Sequence, residues 1–217
     1  MERMNGLKKT LIAIPCMDMV HTDFMISLIN LERVNKTYCA VVKSSLIYDA
    51  RNTLAKQAIN EGFDTVLWLD SDIEFEPDML RRLMAHIDNG KEFVSALYFK
   101  RVFPTSPVIF SKIEQIREGN ELITRAIPYD NYPRNQLFEV DASGFGAVLV
   151  TVDLLKRIND KYGLPFSPAL GLGEDMSFCW RAKELGAKLY CDSSIKLRHI
   201  GLTAYTEETF DSQNEEN

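Results

Sequence analysis

Between Thr10 and Leu97 short apolar runs alternate with amphipathic stretches, and that rhythm admits few folds. Thr10–Ile14, Thr37–Val42, Thr65–Leu69 and Phe93–Leu97 are too short for helices and too continuously apolar for strands that face water on one side. Such runs predict strands covered on both faces. Between them lie helical patterns. His21–Leu31 carries Phe24, Ile26, Leu28, Ile29 and Leu31; Tyr48–Asn60 places Ala50, Leu54, Ala55, Ala58 and Ile59 on one side, and Gly62 stops it. Pro77 opens a third helix in the first turn, where a missing N–H does no harm, and Asn89-Gly90 closes it. Its inner face is Met79, Leu80, Leu83, Met84 and Ile87. Strands and helices in strict alternation predict an α/β domain: a mostly parallel central sheet with helices on both faces.

The second half reads differently. No helical period runs from Tyr98 to Asp141, a stretch that contains Pro104, Pro107, Pro128 and Pro133 and strand-like pieces such as Glu121–Ile127. FEVDASGFGAVLV then reads as strand, glycine turn and strand. TVDLLKRIND is a helix capped by Thr151, and GEDMSFCWRAKELG another, ended by Gly186. AKLYCD and SIKLRHIG are late strands. With no repeat, linker or low-complexity segment, this is one domain with an ordered front and a mixed, loop-rich back.

Charge narrows the partners. The net charge is -6, but five acids fall within Tyr205–Asn217, which has no Lys or Arg, so the body is near neutral. A near-neutral body lacks the footprint of tight nonspecific nucleic-acid binding. The acidic end predicts a solvated, fraying tail. No apolar run approaches the about 18 residues that span a bilayer, and Pro15 ends the short run Leu11–Ile14. The four cysteines (Cys16, Cys39, Cys179 and Cys191) are scattered and predict reduced thiols in a cytosolic protein.

The chemistry concentrates where strands end. Ligands of open parallel sheets bind outside the carboxyl ends of the strands, and Asp70-Ser71-Asp72 follows the apolar Thr65–Leu69 directly. Paired carboxylates become favourable there when a divalent cation neutralises them. The alternative is that they cap the next turn and face water. Pro15 ends the first strand at the same edge, and Asp49, Arg51 and Asn52 of DARN open the following helix near it. An arginine there can pair with a diphosphate, and Asp49 can accept from a base or ribose. Glu174 and Asp175 begin a helix, where acids suit the dipole, and a carboxylate so placed can also act as a general base. Alternation puts Ile195, Leu197 and His199 on one face of the last strand, with His199 a possible nitrogen ligand. Lys100, Arg101 and the aromatics of YFKRVFPTSP (98–107) could touch an anionic acceptor, or simply face solvent.

The ordered set DSD (70–72), GFG (144–146), GED…WR (173–181) and RH (198–199) resembles the GT-A fold glycosyltransferases, near the inverting family 2 enzymes and small phage or bacterial relatives. The resemblance covers nearly the whole chain to about residue 203. The QxxRW signature of family 2 is absent, with only CWRAKE nearby.

The resemblance implies a single GT-A domain over residues 1–203, its nucleotide-sugar half at about 8–100 and its acceptor and catalytic half at about 101–203, followed by the tail 204–217. It implies a metal-dependent glycosyltransferase that moves a sugar from a nucleotide-diphosphate donor, UDP favoured, to an acceptor hydroxyl. Asp72 resembles the direct metal ligand, Asp70 a ribose or metal-shell contact, and His199 the third protein ligand. The cation expected is manganese before magnesium. Pro15, Asp49, Arg51 and Ser71 resemble donor-site residues. Gly144, Phe145 and Gly146 match the glycine-containing strand between donor sugar and acceptor. Asp175 matches the base of inverting enzymes, with Glu174 orienting it or touching the sugar. Retaining chemistry stays open, as do a noncatalytic binding relative and a nucleotidyltransferase. The acceptor could be a glycan, a lipid-linked sugar, a protein or modified DNA, and the expected setting is the cytoplasm of a bacterium or phage-infected cell.

Overall fold

The computed structural model describes residues 8–34, 36–119, 121–201 and 204–215. The front half follows the predicted alternation: β1 (Lys9–Cys16), α1 (Thr22–Asn30), β2 (Lys36–Lys43), α2 (Ile47–Asn60), β3 (Thr65–Leu69), the short β4 (Ile73–Glu74), α3 (Met79–Asp88) and β5 (Phe93–Leu97). The back half contains β6 (Ile109–Glu118), β7 (Glu121–Pro128), β8 (Leu137–Val140), β9 (Ala142–Ser143) and β10 (Ala147–Thr151). It continues with α4 (Val152–Tyr162), α5 (Glu174–Glu184), β11 (Leu189–Lys196), β12 (Arg198–Ile200), β13 (Ala204–Tyr205) and α6 (Glu207–Glu215). The two late strand segments AKLYCD and SIK join as β11, with a register shift between Asp192 and Lys196.

Seven strands form the central sheet in the order β2-β1-β3-β10-β5-β11-β8. β1, β2 and β3 are mutually parallel, and β5 is parallel to β11. β10 is inserted antiparallel between β3 and β5, and β8 is an antiparallel edge. The sheet is thus mostly parallel, but the exception shapes the cleft. Because β10 runs the other way, its start lies at the carboxyl end of β3: Ala147 pairs with Leu69, and the Asp70 amide donates to the Gly146 carbonyl at 3.0 Å.

Helices cover both faces of the central strands, but β2, at the sheet edge, has no buried residue, so the two-sided cover expected for Thr37–Val42 is absent: an edge strand has a neighbour on one side only. On one side α2, α4 and α5 set Leu54, Ala58, Leu155, Ile158 and Phe178 against Trp68, Phe93 and Val150. On the other, α1 and α3 set Phe24, Leu28, Leu80, Leu83 and Ile87 against Ile12, Ile14, Leu67, Leu69 and Val94. Each fully buried large side chain stabilises by about 1.5–3 kcal/mol before conformational entropy is counted. Thr151 caps α4 as predicted, its hydroxyl accepting from the Leu154 amide at 3.3 Å.

The acidic end departs from the expected solvated tail over residues 204–215. β13 pairs with β12, and Phe210 of α6 lies 5.3 Å from the Phe99 ring. Glu207 is buried, accepts from Tyr132 Oη at 2.9 Å and is ion-paired with Arg134 and Lys196. The cations that neutralise it come from elsewhere in the chain, so the local charge count could not register them. Residues 202, 203, 216 and 217, which include the expected boundary of the tail, lie outside the described residues.

Candidate active site

The carboxyl ends of β1 and β3, the start of α5 and strand β12 enclose a cleft of about 780 Å³. Pro15, Arg51, Asp70, Ser71, Asp72, Phe145, Glu174, Asp175 and His199 all line it. Residues up to 184 positions apart in sequence are gathered by three devices: the parallel β1–β3 pair, the antiparallel β10, and a small sheet β13-β12-β4. In that sheet His199 pairs with Ile73, and the Ile200 amide donates to the Asp72 carbonyl at 2.8 Å. The same register sets Arg198 on Glu74 at 2.9 Å, which draws Glu74 away from the cleft.

Arg51 forms the floor. Its side chain is only 2% exposed, with Nη2 donating to Asp70 Oδ1 at 2.7 Å and Nε 3.5 Å from Glu174 Oε1. The rings of Trp68, Phe145 and Phe166 surround the guanidinium at 5.9, 5.2 and 5.8 Å. Burial opposes the charge, but Asp70, Glu174 and Asp175 outweigh it and hold the guanidinium firmly protonated. Asn52, next in DARN, is structural: its Oδ1 accepts from the Phe166 amide at 2.9 Å and fixes the loop that supplies this ring.

The carboxylates occupy distinct environments. Burial lifts the Asp70 carboxyl above its ordinary range, and Arg51 offsets this only in part. Asp175 is pushed up to about 6, first by burial and then by the neighbouring Glu174 charge, although its Oδ1 accepts from the Met176 amide at 2.7 Å. At Asp72 burial is overcome by the hydrogen bond and charge of His199 and by the charge of Arg101, so its carboxyl lies below the usual range.

His199 Nδ1 is 2.7 Å from the Phe99 carbonyl. A carbonyl only accepts, so Nδ1 carries the proton and the other nitrogen, Nε2, faces Asp72 Oδ2 at 3.6 Å. When Nε2 gives up the proton that the Asp72 carboxylate attracts, the imidazole presents a lone pair beside that carboxylate, which suits a divalent cation. Among the described residues no group of three His, Cys, Asp or Glu side chains is arranged to hold a metal. Asp72 and His199 form a pair, while Asp70, expected as a further ligand, is engaged by Arg51. Two protein ligands fit an ion that keeps waters and takes substrate phosphate oxygens.

Several expected residues lie elsewhere. Asp49 does not line the cleft; it borders a separate depression with Thr53, Lys56 and Asn159. Gly144 and Gly146 are close-approach glycines, but what approaches is Tyr98. A Cβ at Gly144 would lie 2.0 Å from Tyr98 Oη, and one at Gly146 2.9 Å from Tyr98 Cζ. Trp180, the aromatic of GED…WR, packs at 5.9 Å from the Tyr162 ring, outside the cleft lining. Arg101, which lines the cleft, and Tyr98, which packs behind it, are the candidate-site residues that sequence reasoning underused. Tyr98 is buried with its ring 5.4 Å from that of His199, and Arg101 Nη1 is 2.8 Å from Asp72 Oδ2. Only the inward turn of the segment after β5 reveals either.

Residues 38–140 match the family model described as Glycosyl transferase family 2. That segment contains Arg51, Asp70 and Asp72 and stops short of Gly144, Glu174 and His199. No curated protein matches the chain. Among solved structures, A197 from STIV is similar, with a TM-score of 0.63 and 19% identity over 89% of this chain and 86% of that chain. It is one of 178 matching solved chains, so the likeness carries the fold and selects no substrate. No helix among the described residues is long and apolar enough to cross a membrane. The family match over residues 38–140, which carry Arg51, Asp70 and Asp72, and the fold likeness over nearly the whole length together show a GT-A fold that resembles the family 2 glycosyltransferases.

Proposed function

We propose that the enzyme transfers a sugar from a nucleotide-diphosphate donor, UDP-linked by preference, to an acceptor hydroxyl by direct inverting displacement. One observation carries the reading: Asp175, pushed up to about 6, shares a cleft with the facing pair Asp72 and His199. At neutral pH Asp175 is mostly ionised yet more basic than an ordinary carboxylate, the balance a general base needs. It takes the proton from the attacking hydroxyl as the anomeric carbon–diphosphate bond breaks. Glu174, at the N-terminus of α5, and Arg51 pair at that end of the cleft, and the Glu174 charge adds to the basicity of Asp175. Asp72 and His199 Nε2 would hold a divalent cation, manganese before magnesium, which when bound neutralises the departing diphosphate. Pro15 and Ser71 border the donor, and Phe145 walls the sugar side of the cleft.

The test is a donor screen with manganese that reads released UDP or GDP. Asp175→Asn should lower kcat by about 100-fold or more with donor KM little changed, the signature of a lost base. Asp72→Ala should abolish dependence on manganese. Undiminished turnover in either variant would remove that residue from the mechanism.

A further inference from the structure

Asp72 Oδ2 has a second visitor besides His199. Arg101 Nη1 lies 2.8 Å from it and also donates to the Ile200 carbonyl at 3.2 Å. The Arg101 side chain is 46% exposed, so it reaches the carboxylate from the solvent side of the cleft. Its loop is not loose. The Lys100 amide donates to the Ser106 carbonyl at 2.9 Å, and Thr105 Oγ1 donates to the Lys100 carbonyl at 2.6 Å. Gln213 of α6 then clasps Thr105 from outside, accepting from its amide at 2.8 Å and donating to its carbonyl at 2.6 Å. A braced loop with one long cationic side chain directed inward is a built feature of the cleft.

Arg101 therefore takes the position that a cation held by Asp72 and His199 would claim. A guanidinium and a divalent cation repel, and both cannot neutralise the same carboxylate oxygen at contact distance. A nucleoside diphosphate arriving with the cation offers the guanidinium another partner, and arginine binds phosphate oxygens with a geometry that suits its planar fork. Resting on the proposed metal reading of Asp72 and His199, we propose that Arg101 is an exchanging diphosphate ligand. It occupies Asp72 in the free enzyme, yields that carboxylate to the metal, and moves to the donor's diphosphate. The exchange couples metal and donor: without the nucleotide, the metal must displace Arg101 into water; with it, the displaced arginine gains the phosphates.

The experiment is calorimetric titration of the full chain, wild type against Arg101→Gln, with Arg101→Lys as the charge-conserving companion. Manganese is titrated first alone; UDP and GDP are then titrated with manganese saturating. Arg101→Gln should bind manganese alone about threefold tighter or more, because a competitor is gone, and UDP about tenfold more weakly, because a charge-assisted phosphate contact is gone. GDP, whatever its own affinity, should lose the same factor, since the contact is to the diphosphate. Arg101→Lys should shift both in the same directions by less, and serves alone if the glutamine variant does not fold. Unchanged or weaker manganese binding by the variants, or unchanged nucleotide binding, overturns the exchange. Failure of the underlying metal reading has a different mark: neither wild type nor Arg101→Gln binds manganese, with or without nucleotide.

Discussion

Arg51 Nη2 and Asp70 Oδ1 meet at 2.7 Å beneath the cleft, and this contact divides the two aspartates of DSD between different tasks. Asp70 anchors to the buried cation of α2, while Asp72 is left facing His199. Arg51→Met removes the cation and leaves Asp70 and Glu174 facing apolar rings. It should destabilise the fold by about 3–5 kcal/mol, the usual cost of breaking a buried pair from one side. Urea unfolding at neutral pH measures it. A loss below about 1 kcal/mol would mean that the carboxylates rehydrate readily.

Asp175 should trade stability for activity. Its carboxyl is raised to about 6 in the folded protein from 3.8, so folding penalises the ionised form. The penalty is absent below the unfolded value, grows as pH rises between the two, and is complete above about 6. Asp175→Asn should therefore be more stable than wild type by about 1–2 kcal/mol at pH 7.5 and equal to it near pH 3.5. In the wild type kcat/KM should rise with pH through a pKa near 6, as the base ionises. Unfolding curves and a pH–rate profile check the two halves separately.

Gly144→Ala should destabilise because of Tyr98, not because of a ligand. The added Cβ would meet Tyr98 Oη at 2.0 Å and Val108 Cγ1 at 2.6 Å. Overpacking of this kind costs about 1–3 kcal/mol. Adding Tyr98→Phe removes one of the two clashes, so the double variant should recover part of the loss. A double-mutant cycle on thermal unfolding reads the coupling, and strict additivity would count against the contact.

Glu207→Gln should loosen α6. Burial alone would lift this carboxyl, but hydrogen bonds from Lys196, Arg134 and Tyr132 hold it below the usual range. A depressed value means stability that is present above about pH 4.3 and is lost as pH falls through the folded value. The substitution should cost about 1–3 kcal/mol at pH 7 and less near pH 3. Comparing unfolding of both proteins at the two pH values gives the sign.

The front of the molecule was legible because its information is local. Buried strands such as Thr65–Leu69 and amphipathic helices such as Met79–Asp88 announce themselves in a few consecutive residues, and the turn that follows a parallel strand is where a ligand can reach. That reasoning singled out Asp72, Glu174, Asp175 and His199, which the fold brings to one cleft, although the late strand that was to carry His199 is split into β11 and β12. Periodicity carries no record of strand direction or of distant partners, and those decided the remainder. The antiparallel insertion of β10 delivered Phe145 to the cleft and set its flanking glycines against Tyr98. A buried Arg51 claimed Asp70, and the inward turn after β5 gave Asp72 a guanidinium. The tail was misread for the same reason: its acids are visible one by one, whereas the charges that bury Glu207 come from Arg134 and Lys196. Charge type and spacing are written along the chain. Which charge faces which depends on contacts across many residues, and only the folded chain closes those distances.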